Sequence, residues 1–276
     1  MSRPAIITSH TSAHELALIE GRRLAKAMRE LSGEHIDVAG GAACFLAQRS
    51  WMNCAVGCGT DPDQPLDAAA LDRITDFFHR RGVDATIDFP HTVVDHHVKT
   101  LAACGYRMRE GESQYLMPLA PGMGLPGLPE GVEVEEFKAG VSTEADETWL
   151  RLNHLSEIGD EPNTPVAVRR DERERILHHP RSRLFVARLD GEPVGAAGME
   201  ATDEVAVLFG GTVIREARRR GVQRAMMLAR LRLAADDGCP VALIGSDPDG
   251  PTARNAERLG FRLGFVVLEF CNPLIR

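Results

Sequence analysis

The sequence predicts an α+β protein of two domains, each a mixed, mostly antiparallel β-sheet flanked by helices. Three observations predict it. Residues 118–131 (PLAPGMGLPGLPEG) hold four Pro and four Gly in fourteen positions, a density of breakers that neither a helix nor a central strand survives. Similar runs of helix, strand and glycine recur on either side of that segment. The downstream half reads as a strand hairpin followed by β-α-β units, an order that needs a mixed sheet. The expected division is a first domain over 1–120, a linker over 121–131 and a second domain over 132–276.

In the second domain, residues 132–137 alternate as a strand, and 142–158 form a helix with Ser142 or Thr143 as N-cap. A charged helix follows over 167–178 and a strand over 183–189. Asp190-Gly191 is a hairpin turn that returns the chain along 193–199. A strand over 204–214, a helix over 222–236, a strand over 241–245, a helix over 252–259 and a strand over 261–270 complete it. The repeat shows in the offsets. A helical segment runs from Val222 to Gly238, then come Val241–Ile244 and Gly260-Phe261-Arg262. Upstream, Leu66 to Gly82 is followed by Ala85-Thr86-Ile87 and Gly105-Tyr106-Arg107. The starts lie 156 apart (222 − 66), the first glycines 156 (238 − 82) and the second 155 (260 − 105).

Composition narrows the function. The chain has 276 residues, of which 26% are charged and 43% hydrophobic, so disorder and coiled coil are poor readings. No apolar run reaches the roughly 18 residues of a membrane span, and no apolar leader follows Met1, so neither a membrane nor a secreted setting is expected. A net charge of −8 argues against general nucleic-acid binding. The six cysteines form no disulfide or metal framework. Cys54 and Cys58 stand alone as C-x3-C and read as small buried thiols, and His91, His96 and His97 as a solvated loop. No metal is expected, and a reducing cytoplasmic setting suits the thiols. A homodimer is compatible with the sequence.

The chemistry concentrates between Val213 and Arg232. Seven arginines (215, 218, 219, 220, 224, 230, 232) stand there against Glu216, four of them within six residues. They sit after a strand and before a helix, with Gly221 at the junction. Val222, Ala225, Met226, Ala229 and Leu233 repeat at helical spacing, the expected core face. The first amides of a helix have no internal partner and face the positive end of its dipole, and a glycine lets a phosphate come close. Strand, tight loop and helix start therefore suit an anion. A solvated basic helix start is the alternative. Neither G-x-x-x-x-G-K-[ST] nor G-x-G-x-x-G is present.

The segment Val213-Ile214-Arg215-Glu216-Ala217-Arg218-Arg219-Arg220-Gly221-Val222-Gln223-Arg224-Ala225 resembles the acetyl-CoA motif of the GNAT N-acetyltransferase superfamily, Arg/Gln-x-x-Gly-x-Gly/Ala after a strand. Arg218 and Gly221 match its fixed positions, and Gln223 stands where Gly or Ala is usual. About 30 residues on, Thr252–Phe261 (TARNAERLGF) resembles the family's later helix with its Asn and Leu-Gly-Phe. The resemblance covers roughly 131–276 and implies two GNAT-like domains in tandem, the first degenerate. It implies acetyl-CoA as co-substrate and a primary amine of a small molecule or peptide as acceptor. The pyrophosphate would rest on the amides of Arg219, Arg220, Gly221, Val222, Gln223 and Arg224, with Arg218 at the motif's fixed position. The pantetheine would pair along Thr212, Val213 and Ile214, and Asn255 would face its arm. Asn255 as an exposed polar residue is the alternative. A non-catalytic acyl-CoA-binding or regulatory protein on the same fold is the alternative function.

The upstream counterpart of the motif loop is Gly59-Thr60-Asp61-Pro62-Asp63-Gln64-Pro65, with two Asp, two Pro and no Arg, so the first domain is expected not to bind coenzyme A. For acid–base work the family often uses a Tyr on the last strands. Phe265 occupies that position, and the only tyrosines, Tyr106 and Tyr115, lie upstream of the linker. Candidate bases are Glu200 and Asp247, with Asp203 and Glu204 in the same turn as Glu200. Residues 133–161 carry nine acids against Lys138 and Arg151, which would favour a cationic acceptor.

Overall fold

The structure is a computed structural model that describes residues 12–61, 63–157 and 166–275. It contains two compact units. The N-terminal unit is built mainly from Thr11–Gln114 and Gly264–Arg276, the C-terminal unit mainly from Tyr115–Asn163 and Arg169–Leu263.

In the N-terminal unit, Ser12 starts α1 (Ala13–Leu31). Its hydroxyl accepts from the Glu15 amide while the Glu15 carboxylate accepts from the Ser12 N–H at 2.8 Å, so two orphan donors of the first turn are satisfied. β1 (Glu34–Val38) and β2 (Gly41–Phe45) form an antiparallel hairpin. β3 (Cys54–Val56) leads through α2 (Ala68–His79) to β4 (Ala85–Pro90), which lies parallel to β3. Short helices α3 (His91–Val94) and α4 (Val98–Ala103) precede β5 (Arg107–Pro118). Leu71, Ile74 and Phe78 of α2 pack with Ala55, Ile87 and Phe89 in one core.

The C-terminal unit runs β6 (Val132–Phe137), α5 (Thr143–Glu157), α6 (Val166–His178), β7 (Arg183–Leu189), β8 (Glu192–Ala201) and β9 (Ala206–Val213). It continues with α7 (Val222–Asp236), β10 (Val241–Ser246) and α8 (Pro251–Leu259), and the chain then enters its last strand, β11 (Arg262–Asn272). Asp190 and Gly191 close the β7–β8 hairpin at φ 53 and 86, the left-handed pair that a right-twisted hairpin prefers. β6, β7, β8 and β9 are antiparallel in sequence order, and β9 pairs parallel with β10. The expected α+β class with mixed sheets stands, and so does the repeat. Each unit has a parallel pair, β3/β4 or β9/β10, bridged by a helix. The second strands start 156 residues apart (241 − 85) and the last strands 155 (262 − 107).

The last strands cross the sequence boundary. β11, downstream of the Pro/Gly segment, pairs antiparallel with β4 from Val267↔Pro90 to Asn272↔Ala85 and belongs, from Gly264, to the N-terminal unit. Conversely, Tyr115 and Met117 at the end of β5 join the core of the C-terminal unit. The Pro/Gly segment is fastened down. The Leu119 amide donates to the Pro240 carbonyl at 2.8 Å, Arg232 donates to the Pro126 carbonyl, and Met123, Leu125 and Leu128 pack against the core.

Several local expectations change. α2 begins at Ala68, because Asp67 caps it by accepting from the Ala70 amide at 2.8 Å. In α7, Ala229 and Leu233 are only half-buried, whereas Met227, Leu228, Arg230 and Leu231 are buried. The packed-down Pro/Gly segment gives this helix more than one apolar neighbour, so a single stripe does not describe it. Of the three histidines, His91 and His96 are exposed as expected, whereas His97 is half-buried, and two of them are bonded to the backbone. His97 Nε2 lies 3.0 Å from the Gly59 carbonyl and His91 Nδ1 accepts from the Val266 amide at 3.0 Å. All six cysteines are free, and burial raises the thiol pKa of Cys58 to about 12.

The β4–β11 register sets Asp88 opposite Glu269. Burial first, and then the Glu269 charge, push the Asp88 carboxyl up to about 7 from 3.8. The Cys54 thiol on β3 and Glu110 and Glu112 on β5 also act on it, while Arg109 on β5 pairs with Glu269. A carboxyl whose folded pKa is raised binds its proton more tightly folded than unfolded. Its contribution is fully present below about pH 4 and is lost as pH rises to about 7. Asp88→Asn should flatten this fall by at least ~1 kcal/mol between pH 5 and 8. Urea unfolding of the N-terminal unit, followed by Trp51 fluorescence in a Trp149→Phe background, checks it.

Candidate functional site

The C-terminal unit holds a cleft of ≈ 1070 Å³ between the end of β9, the start of α7 and the face of α8. It exists because two parallel strands part. β9 and β10 pair at Ala206↔Ala242, Val207↔Leu243 and Leu208↔Ile244, whereas β9 runs on beside β8 to Val213. Beyond β9, a single 3-10 turn (Arg215–Ala217) and the loop 218–221 lead into α7.

That loop winds through two left-handed residues. Arg219 has φ 65 and Gly221 φ 83. Gly221 is the N-cap residue of α7 and no side chain caps the helix. A Cβ on Gly221 would stand 2.9 Å from Cγ of Pro129, so the packed Pro/Gly segment and the left-handed backbone both demand glycine. Arg218 Nε donates to the Val213 carbonyl at 3.2 Å and ties the loop to the strand it leaves. Arg218, Arg219, Arg224, Arg254 and Arg258 line the cleft, with Asp247 the single carboxylate among the described lining residues. Across it, Asn255 Nδ2 donates to Gln223 Oε1 at 2.6 Å and Gln223 Nε2 to Thr252 Oγ1 at 2.9 Å, which joins the start of α7 to α8.

Of the expected coenzyme residues, Thr212, Val213, Arg218, Arg219, Gly221, Val222, Gln223, Arg224 and Asn255 meet in this cleft. Ile214 and Arg220 do not line it. The Ile214 amide donates to the Val194 carbonyl at 3.0 Å, and Arg220 faces Asp190 at 3.6 Å. The corresponding helix of the N-terminal unit starts differently. Asp67 caps α2, and Asp61 in the preceding loop accepts from the Asp63 amide and from Gln64. A carboxylate thus occupies the helix start that α7 leaves open.

Residues 147–261 match the Acetyltransferase (GNAT) family. This segment is a GNAT domain. A GCN5-related N-acetyltransferase from Kribbella flavida is similar over 92% of this chain and 95% of its own, at 19% identity and a TM-score of 0.65. One from Sphaerobacter thermophilus covers 75% of this chain and 66% of its own, at 16% identity and 0.57. A tandem GNAT protein from the clavulanic acid biosynthesis pathway covers 76% and 69%, at 15% identity and 0.55. At these identities the likeness is one of fold. No curated protein matches the chain.

Within the GNAT domain the two candidate bases part company. Asp247, exposed just after β10, lines the cleft. Glu200 does not; it is buried on β8 with its carboxylate 2.5 Å from Arg181 Nε. Phe265 is buried on β11 and has no proton to give. The acid-rich segment lies elsewhere on the sheet. Glu133, Glu135 and Glu136 sit on the edge strand β6, Glu136 pairs with Arg183 at 2.6 Å and Glu147 with Arg170 at 3.4 Å. Asp160, Glu161 and the side chain of Glu157 lie outside the described residues. Among the described residues, no group of three or more His, Cys, Asp or Glu is placed to hold a metal ion, and no helix is long and apolar enough to cross a membrane. Thr252, Arg254 and Arg258 escaped the sequence reading, although their spacing with Asn255 marks one face of α8.

Gly221→Ala should destabilise the GNAT domain by ~1–3 kcal/mol, because it adds left-handed strain and crowds Pro129. A lower midpoint in thermal unfolding followed by Trp149 fluorescence checks this.

Proposed function

We propose that the C-terminal unit is an acyl-CoA-dependent N-acyltransferase that moves acetyl from acetyl-CoA to a primary amine of a small molecule or peptide. The open, arginine-lined start of α7 beside the parted strands carries this reading. An anion is attracted there by unpartnered helix amides, the helix dipole and the guanidinium groups of Arg218, Arg219 and Arg224. The pyrophosphate rests on the 219–224 loop, where the missing Cβ of Gly221 leaves the backbone accessible. The pantetheine follows the β9 edge past Thr212 and Val213, and Asn255 leaves its bond to Gln223 to meet it.

Acyl transfer needs an amine that has lost its proton. Asp247 is the carboxylate that the cleft presents for that purpose. Glu200, held by Arg181, serves to fix β8. The N-terminal unit shares the architecture but not the site, since Asp67 caps the equivalent helix. The chain therefore binds one coenzyme A.

Calorimetric titration with coenzyme A should give one site per chain. Gly221→Glu should abolish binding, because its side chain enters the loop and its charge repels phosphate. Asp61→Ala should leave affinity unchanged within about twofold. Two equivalent sites, or wild-type affinity in Gly221→Glu, would refute the assignment. Binding without thiol release on any amine of a broad panel would favour a non-catalytic acyl-CoA-binding protein.

A further inference from the structure

Arg230 on α7 is a buried cation with no carboxylate partner among the described residues. Its side chain is 1% exposed. Nε donates to the Met226 carbonyl at 3.0 Å, and Nη1 donates to the Gly198 carbonyl at 2.8 Å and the Phe209 carbonyl at 3.2 Å. Every one of these acceptors is a backbone carbonyl. Glu200, two residues beyond Gly198 on β8, is paired with Arg181 instead. Burial alone lowers the Arg230 pKa, to about 9, so the group stays positive at neutral pH. A buried charge held only by dipoles is costly, and replacing it by an apolar side chain usually relieves that cost.

The side chain lies beside an irregularity in the strand that lines the cleft. The β8–β9 register shifts between Ala196↔Thr212 and Gly198↔Phe209, so Gly210 and Gly211 together face the single residue Ala197. Arg230 holds carbonyls on both strands next to this bulge. A Cβ on Gly211 would lie 3.6 Å from Arg230 Nη2, and Gly211 is exposed and lines the cleft. One glycine backbone thus separates the guanidinium from the cleft. Gly210 and Gly211 lie just before the Thr212–Val213 edge, on the side away from the phosphate loop.

We propose that Arg230 is a positioning residue whose buried charge acts through the Gly210–Gly211 bulge to stabilise the thiolate that leaves when the acyl thioester is cleaved. This rests on the acyl-transfer reading above. In that reaction the amine nitrogen forms the new C–N bond and the C–S bond breaks. The electron pair goes to sulfur, and the amine proton goes to Asp247 or solvent. Negative charge therefore appears at the sulfur end of the arm. A fixed, unscreened cation one residue away is preorganised to meet it. A thiolate stabilised in this way needs no proton donor, which fits the presence of Phe265 in place of a tyrosine.

The test is the thiol pKa of coenzyme A bound to the full chain, read from thiolate ultraviolet absorbance against pH. In the wild-type protein it should lie at least about one unit below that of free coenzyme A, a tenfold gain in thiolate. Arg230→Met should return it to the free value, and Arg230→Lys should keep part of the shift. Calorimetric affinity should stay within about threefold in both variants, because the phosphate loop is untouched. A wild-type thiol that titrates as in free coenzyme A overturns the proposal, and this measurement needs no variant to fold. So does a Met variant that keeps the wild-type shift. A wild-type chain that binds no coenzyme A overturns the acyl-CoA reading itself, and this proposal with it.

Discussion

The backbone at Gly221 is the constraint on which the GNAT domain turns. A left-handed residue at that position starts α7 without a capping side chain, and the residues around it line the cleft. Three separate parts of the sequence have to agree for this to work. The chain must leave β9 before β10 pairs with its whole length, Arg219 must also take a positive φ, and Pro129 must pack where a Cβ would stand. The same element order in the N-terminal unit shows what happens when the constraint is dropped. There Asp67 stands at the cap and its carboxylate accepts from the Ala70 amide, where Gly221 offers no side chain.

Exchange of the last strands is the second organising feature. β11 completes the N-terminal unit, and the end of β5 joins the C-terminal core. Each unit thus depends on residues from beyond the Pro/Gly segment. That segment is itself a packed part of the C-terminal unit, bonded to α7 through Arg232 and to the residue before β10 through Pro240. A breaker-rich composition signals the absence of regular structure. It does not signal the absence of tertiary contacts.

Much of this was legible because local chemistry was unambiguous. Asp190-Gly191 fixed a hairpin, and the strand–arginine–glycine–helix order located the loop that lines the cleft. Other features were hidden for identifiable reasons. α1 carries its own signal in Ser12 and Glu15, a capping box that lies outside the repeated segments. β3 has three residues and too little alternation to register. Ile214 and Arg220 sit inside the motif but are claimed by Val194 and Asp190, partners distant in sequence. Arg230 reads in sequence as one more member of a basic run. Only its carbonyl partners on β8 and β9 set it apart from the solvated arginines.

Amide hydrogen exchange with and without coenzyme A tests the central claim most directly, because the claim concerns backbone N–H groups. The account predicts that coenzyme A slows exchange over residues 219–224 and leaves residues 59–65 and the start of α2 unchanged. Unaltered exchange over 219–224 at saturating coenzyme A, or equal protection at both helix starts, would contradict it.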